Sequence, residues 1–430
     1  MKIFILIAFV LTYVAIIAMP NKKPLVTGIS ALIMSVGCII TKNMKATDVF
    51  TTIDWNVVMM LFGIMLTVGL FSESGMPNRL ASKLISKIPS SLSALVLISI
   101  LSGVISAFVD NVATVLMLAP IGLSLAKKLN ISPVPVIISI AVSSNLQGAA
   151  TLVGDTTSIM LGGFADMNFI EFIFLDGKPS IFWAVELGML MTVPVLFIIF
   201  RKERKRIELP YEKVEVSTIF PTIMLLINLA LLIVCSFIEN KPEVTNGVIC
   251  MVIGIICVVQ YFIINKGSKK EAAKTVWGTI DYQTVLFLMF LFIIICAVES
   301  VGIIDDISQL FIAVGNKNVF LLYTIIVFAS VLLSAFIDNI PYVATMLPVI
   351  QGLVAGLPGV SPYLMYFGLL IGATLGGNIT PVGASANVVG IGILNKQGYN
   401  VKLGDFLKIG LPFTLVAVLS GYLFCWFVWA

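Results

Sequence analysis

Apolar positions along this chain gather into runs of membrane length, at 3–19, 25–40, 55–71 and 183–200 in the first half and at 219–238, 248–264 and 284–298 in the second. Runs of this size suit helices crossing ~30 Å of hydrocarbon, where every backbone amide must be paired within its own segment. The first run is preceded only by Lys2 and is followed by no A-x-A cleavage pattern, so it is read as a retained span rather than a signal peptide. Between 78 and 87, Arg79, Lys83 and Lys87 alternate with Leu80, Leu84 and Ile85, the pattern of an amphipathic helix lying on the membrane surface. Two stretches break the rule of one run per span. Residues 91–128 are too long for one crossing and are interrupted at Asp110-Asn111, which predicts a re-entrant helix hairpin with that dipeptide at its tip; residues 319–353 repeat the arrangement around Asp338. Residues 143–158 and 376–387 are small and polar at membrane depth, and predict helices that unwind part-way across.

These features recur at a fixed distance. Ser106-Ala107-Phe108-Val109-Asp110-Asn111 returns as Ser334-Ala335-Phe336-Ile337-Asp338-Asn339, 228 residues on, and Pro120 and Pro348 follow at the same offset. Ile53-Asp54 pairs with Ile280-Asp281 at 227, and Gly148, Thr151 and Gly154 pair with Gly377, Thr380 and Gly383 at 229. The expected fold is therefore an all-α polytopic membrane protein of two repeats, 1–200 and 218–430, joined by a basic cytoplasmic linker at 201–217. Five crossings and one hairpin per repeat make an odd number, which forces the repeats to be inverted.

Composition agrees: 59% of residues are hydrophobic, 11% are charged and mean hydropathy is +1.09, so no soluble domain is left over. With the N-terminus outside, 20 of the 26 Lys and Arg fall on the cytoplasmic side, including Lys22 and Lys23, and six fall outside. That asymmetry places both termini outside a plasma membrane and accounts for the +4 net charge without a nucleic-acid partner. Six cysteines in apolar runs without C-x-x-C spacing point to packing, and with no histidine there is little for metal or His-based catalysis to use, so no enzymatic role is expected.

A carboxylate at membrane depth costs several kcal/mol, and two copies mark an ion or substrate path. Broken helices add free amides and carbonyls, and Gly148, Gly154, Gly377 and Gly383 are expected to supply unusual dihedrals there. The candidate binding residues are Asp110, Asn111, Thr114, Ser144, Asn145, Thr151, Asp155 and Thr156 in the first repeat. Asp338, Asn339, Asn378, Thr380, Ser385 and Asn387 are their counterparts in the second. Hydroxyl and amide oxygens suit a hard cation, and Asn111, Asn145, Asn339 and Asn378 are the candidate sodium ligands. Replacing Asn111 or Asn339 is expected to remove an ion ligand and leave folding largely intact. Asp155 has no acidic counterpart, since Ala384 holds its repeat position; it is either an asymmetric coupling site or a cap on the helix from Thr156.

The SAFVDNVATVLMLAP and SSNLQGAATLVGD segments, with SAFIDNIPYVATMLP and LGGNITPVGASANVVG in the second half, resemble the ion transporter superfamily in its arsenite-permease and sodium/proton-antiporter branch. That branch also holds the melanosomal P protein and is related to citrate and dicarboxylate carriers. The resemblance covers nearly the whole chain and implies inverted repeats, a homodimer and an elevator-type carrier whose hairpin tips and unwound helices line the site. The chain departs from it at Gln147-Gly148 and at Asp155-Thr156-Thr157-Ser158, where relatives commonly read GG and DPPN.

Charge narrows the substrate. Dicarboxylate relatives carry neutral tips, whereas each tip here holds an aspartate that repels a dianion at low dielectric. Burial favours the neutral forms of a carboxylate, protonated or cation-bound, so sodium and proton can compete for it. The expectation is a sodium- or proton-coupled secondary transporter for a small ion or anion, in the lipid bilayer, with no resident cofactor beyond a bound sodium ion. Arsenite export and citrate or dicarboxylate transport are the alternatives, and an intramembrane aspartyl protease or a passive channel is the weaker reading. The tips are expected to differ, because Pro341 removes a backbone donor near Asp338 that Ala113 keeps near Asp110, leaving Asp338 as the titrating carboxylate.

Overall fold

The computed structural model describes residues 1–19, 22–206, 214–238, 240–315, 318–357 and 359–430. Residues 207–213 of the expected cytoplasmic linker lie outside these. The first half runs through α1 (Lys2–Ala18), α2 (Lys23–Ile40), the single turn α3 (Asp48–Thr51), α4 (Trp55–Glu73), α5 (Met76–Ile85), α6 (Ser91–Ser106), α7 (Asn111–Leu129), α8 (Pro133–Gly148), α9 (Thr156–Phe164) and α10 (Ile181–Ile199). The second runs through α11 (Phe220–Ser236), α12 (Thr245–Ile264), α13 (Lys269–Thr279), α14 (Tyr282–Ser300), α15 (Ile303–Gly315), α16 (Val319–Ser334), α17 (Asn339–Ala355), α18 (Pro362–Leu370), α19 (Ser385–Lys396) and α20 (Leu403–Trp429). The only sheet among the described residues is a two-stranded hairpin, Phe174–Leu175 with Lys178–Pro179.

Seven of the described helices, α2, α4, α7, α10, α12, α14 and α20, are long and apolar enough to cross a membrane, and α1, α6, α11 and α17 are shorter apolar helices. From α4 to α9 and from α14 to α19, helices begin at matching positions. Trp55 and Tyr282, Met76 and Ile303, Ser91 and Val319, Asn111 and Asn339, Pro133 and Pro362, and Thr156 and Ser385 lie 227–229 residues apart. The local causes also repeat. Asp54 accepts the Val57 N–H at 3.0 Å to start α4, and Asp281 accepts the Thr284 N–H at 3.1 Å to start α14. Pro133 and Pro362 open α8 and α18, where a helix has no use for the missing N–H.

Two sequence expectations change in detail. The amphipathic segment after α4 is helical as α5, but the basic stretch after α12, read as a loop, also folds into a helix, α13. More important for function, Ser143 to Gly148 is not unwound: α8 continues through Gly148, and the break is confined to Ala149–Asp155. Those side chains are polar because they face a buried hydrogen-bonded layer, so helix and polarity coexist. In the second half α18 passes into a π-helical turn at Ile371–Leu375 and a 3-10 turn at Gly377–Ile379, leaving Thr380–Ala384 irregular.

Helices α4 and α12 cross with their backbones in direct contact. A Cβ on Gly63 would lie 2.2 Å from the Cys250 carbonyl carbon, and one on Gly254 would lie 2.8 Å from the Gly63 carbonyl oxygen. Without a hydrophobic force between helices in lipid, such backbone contact through glycine is what holds them. Ile29, Leu32, Ile33 and Val36 of α2 and Val252, Ile255 and Val259 of α12 are exposed, as a lipid-facing surface requires. Gly63→Leu is expected to destabilise the fold by about 1–3 kcal/mol or more. The measurement is a lowered melting temperature in detergent, whereas Gly392→Ala, with nothing within 4 Å of its added Cβ, should leave it unchanged or slightly raised.

Candidate functional site

The two hairpin tips are built from the same parts. Helix α6 ends at Ser106, three residues turn, and Asp110 caps α7 with Oδ2 accepting the N–H groups of Val112 at 2.9 Å and Ala113 at 3.0 Å. In the second half Asp338 caps α17 by accepting the Ile340 N–H at 3.2 Å through Oδ1. Pro341 stands where Ala113 stood, so the third-position donor is missing, as the sequence required. Its place is taken from elsewhere: Lys23 Nζ, at the start of α2, donates to Asp338 Oδ2, and Ser385 Oγ lies 3.5 Å from the same oxygen. The expected contrast between the tips is therefore changed in kind, because Asp338 has a resident cation that the donor count could not reveal.

Each tip is clamped to the unwound helix behind it. Thr151 Oγ1 donates to the Ala107 carbonyl and Thr380 Oγ1 to the Ala335 carbonyl, the same bond in both halves. Gly154 and Gly383 complete the clamp. A Cβ on Gly154 would meet the carbonyl oxygens of Gly148, Ala107 and Ser106 at 2.6, 2.9 and 2.9 Å. One on Gly383 would meet those of Gly377, Ser334 and Ala335 at 2.7, 2.8 and 2.9 Å. None of Gly148, Gly154, Gly377 and Gly383 has a positive φ. The expectation of unusual dihedrals is thus corrected: glycine is needed here because backbone touches backbone, not because the chain turns left-handed.

Between the halves runs a buried layer of amides. Asn111 Nδ2 donates to Asn145 Oδ1 at 2.9 Å. Asn145 Nδ2 donates to the Thr374 carbonyl at 2.7 Å and to Asn378 Oδ1 at 3.1 Å, and Asn378 Nδ2 donates to the Val142 carbonyl at 3.0 Å. Ser144 Oγ bonds Ser106 Oγ and the Asn111 carbonyl, both at 3.0 Å. Asn387 Nδ2 bonds the carbonyls of Gly377 and Thr380, both at 3.0 Å, and Thr114 Oγ1 bonds that of Val109 at 3.4 Å. These side chains are engaged with protein. In particular Asn111, expected to be removable without cost to folding, belongs to this network, and its loss would leave Asn145 Oδ1 without that donor.

In front of this layer lies a cavity of about 210 Å³, lined from the first half by Asp110, Asn111, Asp155 and Thr156 and from the second by Asn339, Ile340 and Ser385. Gly278 to Asp281 and Thr284 close one end, and Met65, Val68 and Gly69 of α4 form a wall. An adjoining space of about 150 Å³ shares Asp281, Thr284, Ile340 and Ser385 and adds Lys23 and Asp338. Of the candidate residues, then, Asp110, Asn111, Asp155, Thr156, Asp338, Asn339 and Ser385 reach the cavities. Thr114, Ser144, Asn145, Gly148, Thr151, Gly154, Gly377, Asn378, Thr380, Gly383 and Asn387 stand outside their linings and build the frame.

Of the two roles that the sequence left open for Asp155, the structure shows the helix cap. Its Oδ1 accepts the Thr157 N–H at 3.3 Å and caps α9. Its Oδ2 is buried and has no hydrogen-bond partner among the described residues. A buried carboxylate oxygen left this way is stabilised by a proton or a cation, and Asp110 lies on the same cavity. Lys23, Asp281 and Thr284 escaped the sequence reading. Lys23 had been counted among loop charges, and Asp281 had served only to align the repeats, although its match with Asp54 marked it as a helix start.

Asn145→Leu, which leaves Asn111 Nδ2, Asn378 Oδ1 and the Thr374 carbonyl each short of a partner, is expected to cost several times the ~1–3 kcal/mol of a single orphaned group. The readout is loss of a monodisperse, cooperatively melting protein, whereas Asn339→Ala, at the cavity wall, should melt close to wild type.

The architecture has known relatives. An uncharacterized transporter of Mycobacterium tuberculosis is 29% identical over 432 residues, covering 99% of this chain and 98% of that one. The human P protein is 25% identical over 87% of this chain and 54% of its own length. Among solved structures, the Alcanivorax borkumensis YdaH transporter, described as having an unusual topology, matches with TM-score 0.58 and 16% identity over 91% of this chain and 87% of its own. Neisseria gonorrhoeae MtrF, described among antimetabolite efflux pumps, matches with TM-score 0.58 and 14% identity over 91% and 84%. At that identity the two structures support the fold alone. The family model described as citrate transporter, CitMHS, matches residues 12–372, and the chain belongs to that family of membrane transporters.

Proposed function

We propose that the chain is a cation-coupled secondary transporter in which Asp110 and Asp155 together hold the coupling cation, sodium or a proton. The observation that carries this is that Asp155, whose buried Oδ2 has no hydrogen-bond partner among the described residues, lines a cavity together with Asp110. Thr156 of the same half and Asn339 and Ser385 of the opposite half line the same space, and their neutral oxygens suit a hard cation. Residues of both halves meet there, and hydrogen bonds behind the site join the halves into one body that can carry it as a unit, which favours alternating access over a continuous pore. The matching element order of the halves supports inverted repeats of residues 1–200 and 218–430, moving as an elevator within a homodimer. Positive charge supports a plasma-membrane orientation with both termini outside.

The transported solute is best read as a small ion or anion. The family's description extends to this chain a carboxylate of the citrate or dicarboxylate class as one candidate, with arsenite export as the alternative. Any anion would meet Asp110 and Asp155 first, so a bound cation must neutralise the cavity before it enters. An aspartyl-protease dyad requires two carboxylates that share one proton, and the Asp338 pairing with Lys23 disfavours it.

Reconstitution into liposomes with imposed sodium and proton gradients tests the reading, since a coupled carrier accumulates solute against its gradient and a channel only equilibrates it. Sodium should raise the melting temperature of the wild type in detergent. In Asp155→Asn that rise should vanish and coupled uptake should fall at least tenfold, while the sodium-free melting temperature stays the same or increases. A wild-type sodium response in this variant, with acid pH equally without differential effect, would remove Asp155 from the site.

A further inference from the structure

Lys23 is the single basic side chain on either of the two adjoining cavities among the described residues. Its ammonium is bound to Asp338 Oδ2, and the two side chains are only 24% and 10% exposed. Among the described residues the other tip has no such partner. Asp110, its repeat equivalent, receives two backbone N–H groups, and its cavity contributes carboxylates, hydroxyls and amides but no lysine or arginine. Helix α12, which precedes α14 as α2 precedes α4, begins at Thr245, not at a basic residue. Two aspartates in equivalent frames thus face opposite conditions, one neutralised by the chain itself and one neutralised only by what enters the cavity.

We propose that Lys23 is a built-in counter-cation that occupies at the second tip the place a transported cation takes at the first, and so fixes how many cations the protein binds. This rests on the cation-coupled reading above. A duplicated fold with two identical tips would require an exchangeable cation at each, because an unpaired carboxylate at this depth is strongly disfavoured. A lysine tethered to α2 satisfies one of them permanently, with its methylene stem along the wall of the smaller cavity and its charge fixed at Asp338. The exchangeable cation is then confined to the Asp110 and Asp155 side. The lysine also keeps Asp338 from repelling an anionic solute that approaches through the smaller cavity.

The test counts bound radioactive sodium on the purified full chain. Wild type is expected to bind one sodium ion per chain with a Hill slope near one, and Lys23→Met, which frees Asp338, is expected to bind twice as many with a steeper slope. Lys23→Arg, which keeps the charge, and the double variant Lys23→Met with Asp338→Asn, which removes both, should return to one. A wild type that already binds two, or a Lys23→Met that binds the wild-type number, overturns the proposal. If Lys23→Met does not purify as monodisperse protein, Asp338→Asn alone decides: it should keep the wild-type count, and loss of sodium there overturns the proposal. Absence of any bound sodium in the wild type contradicts the sodium form of the coupling reading itself, and the counter-cation proposal falls with it.

Discussion

An ionised carboxylate inside a membrane must be met by amides, by a cation or by a proton, and the whole central layer of this protein is arranged around that constraint. Asp110, Asp155 and Asp338 each sit at the start of a helix, where free N–H groups and the positive end of the helix dipole favour negative charge. Such starts can exist inside the helix bundle only if the helix before them has ended there. The breaks after Ser106, Gly148, Ser334 and the 3-10 turn at Gly377–Ile379 are therefore the condition for placing carboxylates at depth. The backbone groups that those breaks would expose are met by Thr151, Ser144, Thr380 and Asn387, each bonded to a carbonyl of the break or tip.

Amide donors do not neutralise the three carboxylates equally, and the remaining imbalance separates frame from site. Asp338 is completed by Lys23, Asp110 by two backbone amides, and Asp155 by one, with an oxygen to spare. A duplicated scaffold thereby acquires a direction. Its threonine clamps and the Gly154 and Gly383 contacts match in both halves, while the caps and the charges facing the cavity do not.

Much of this was legible in the sequence because lipid leaves few options. Runs of apolar residues matched the long apolar helices, the Asp-Asn interruptions marked the starts of α7 and α17, and the 227–229 offsets recur between helix starts from α4 to α9 and from α14 to α19. What the sequence could not convey was the direction in which polar side chains face. Ser144 and Asn145 read as an unwound segment because polarity at depth resembles a break, yet they stay helical by bonding sideways to α7 and the second half. The glycines were read as sites of unusual dihedrals, since close approach of two backbones leaves no local signature that differs from a turn. Lys23 lies 315 residues from Asp338, and charge counting assigned it to a loop.

The account depends on a cation lying between the Asp110 and Asp155 carboxylates. Thallium, a heavy monovalent stand-in for sodium, makes that position directly visible by anomalous scattering from crystals of the wild-type protein. The predicted result is one peak per chain in the cavity bounded by Asp110, Asp155 and Asn339, lost in Asp155→Asn. A peak at Lys23 and Asp338, or within the Asn145 and Asn378 layer with the cavity left empty, would contradict it.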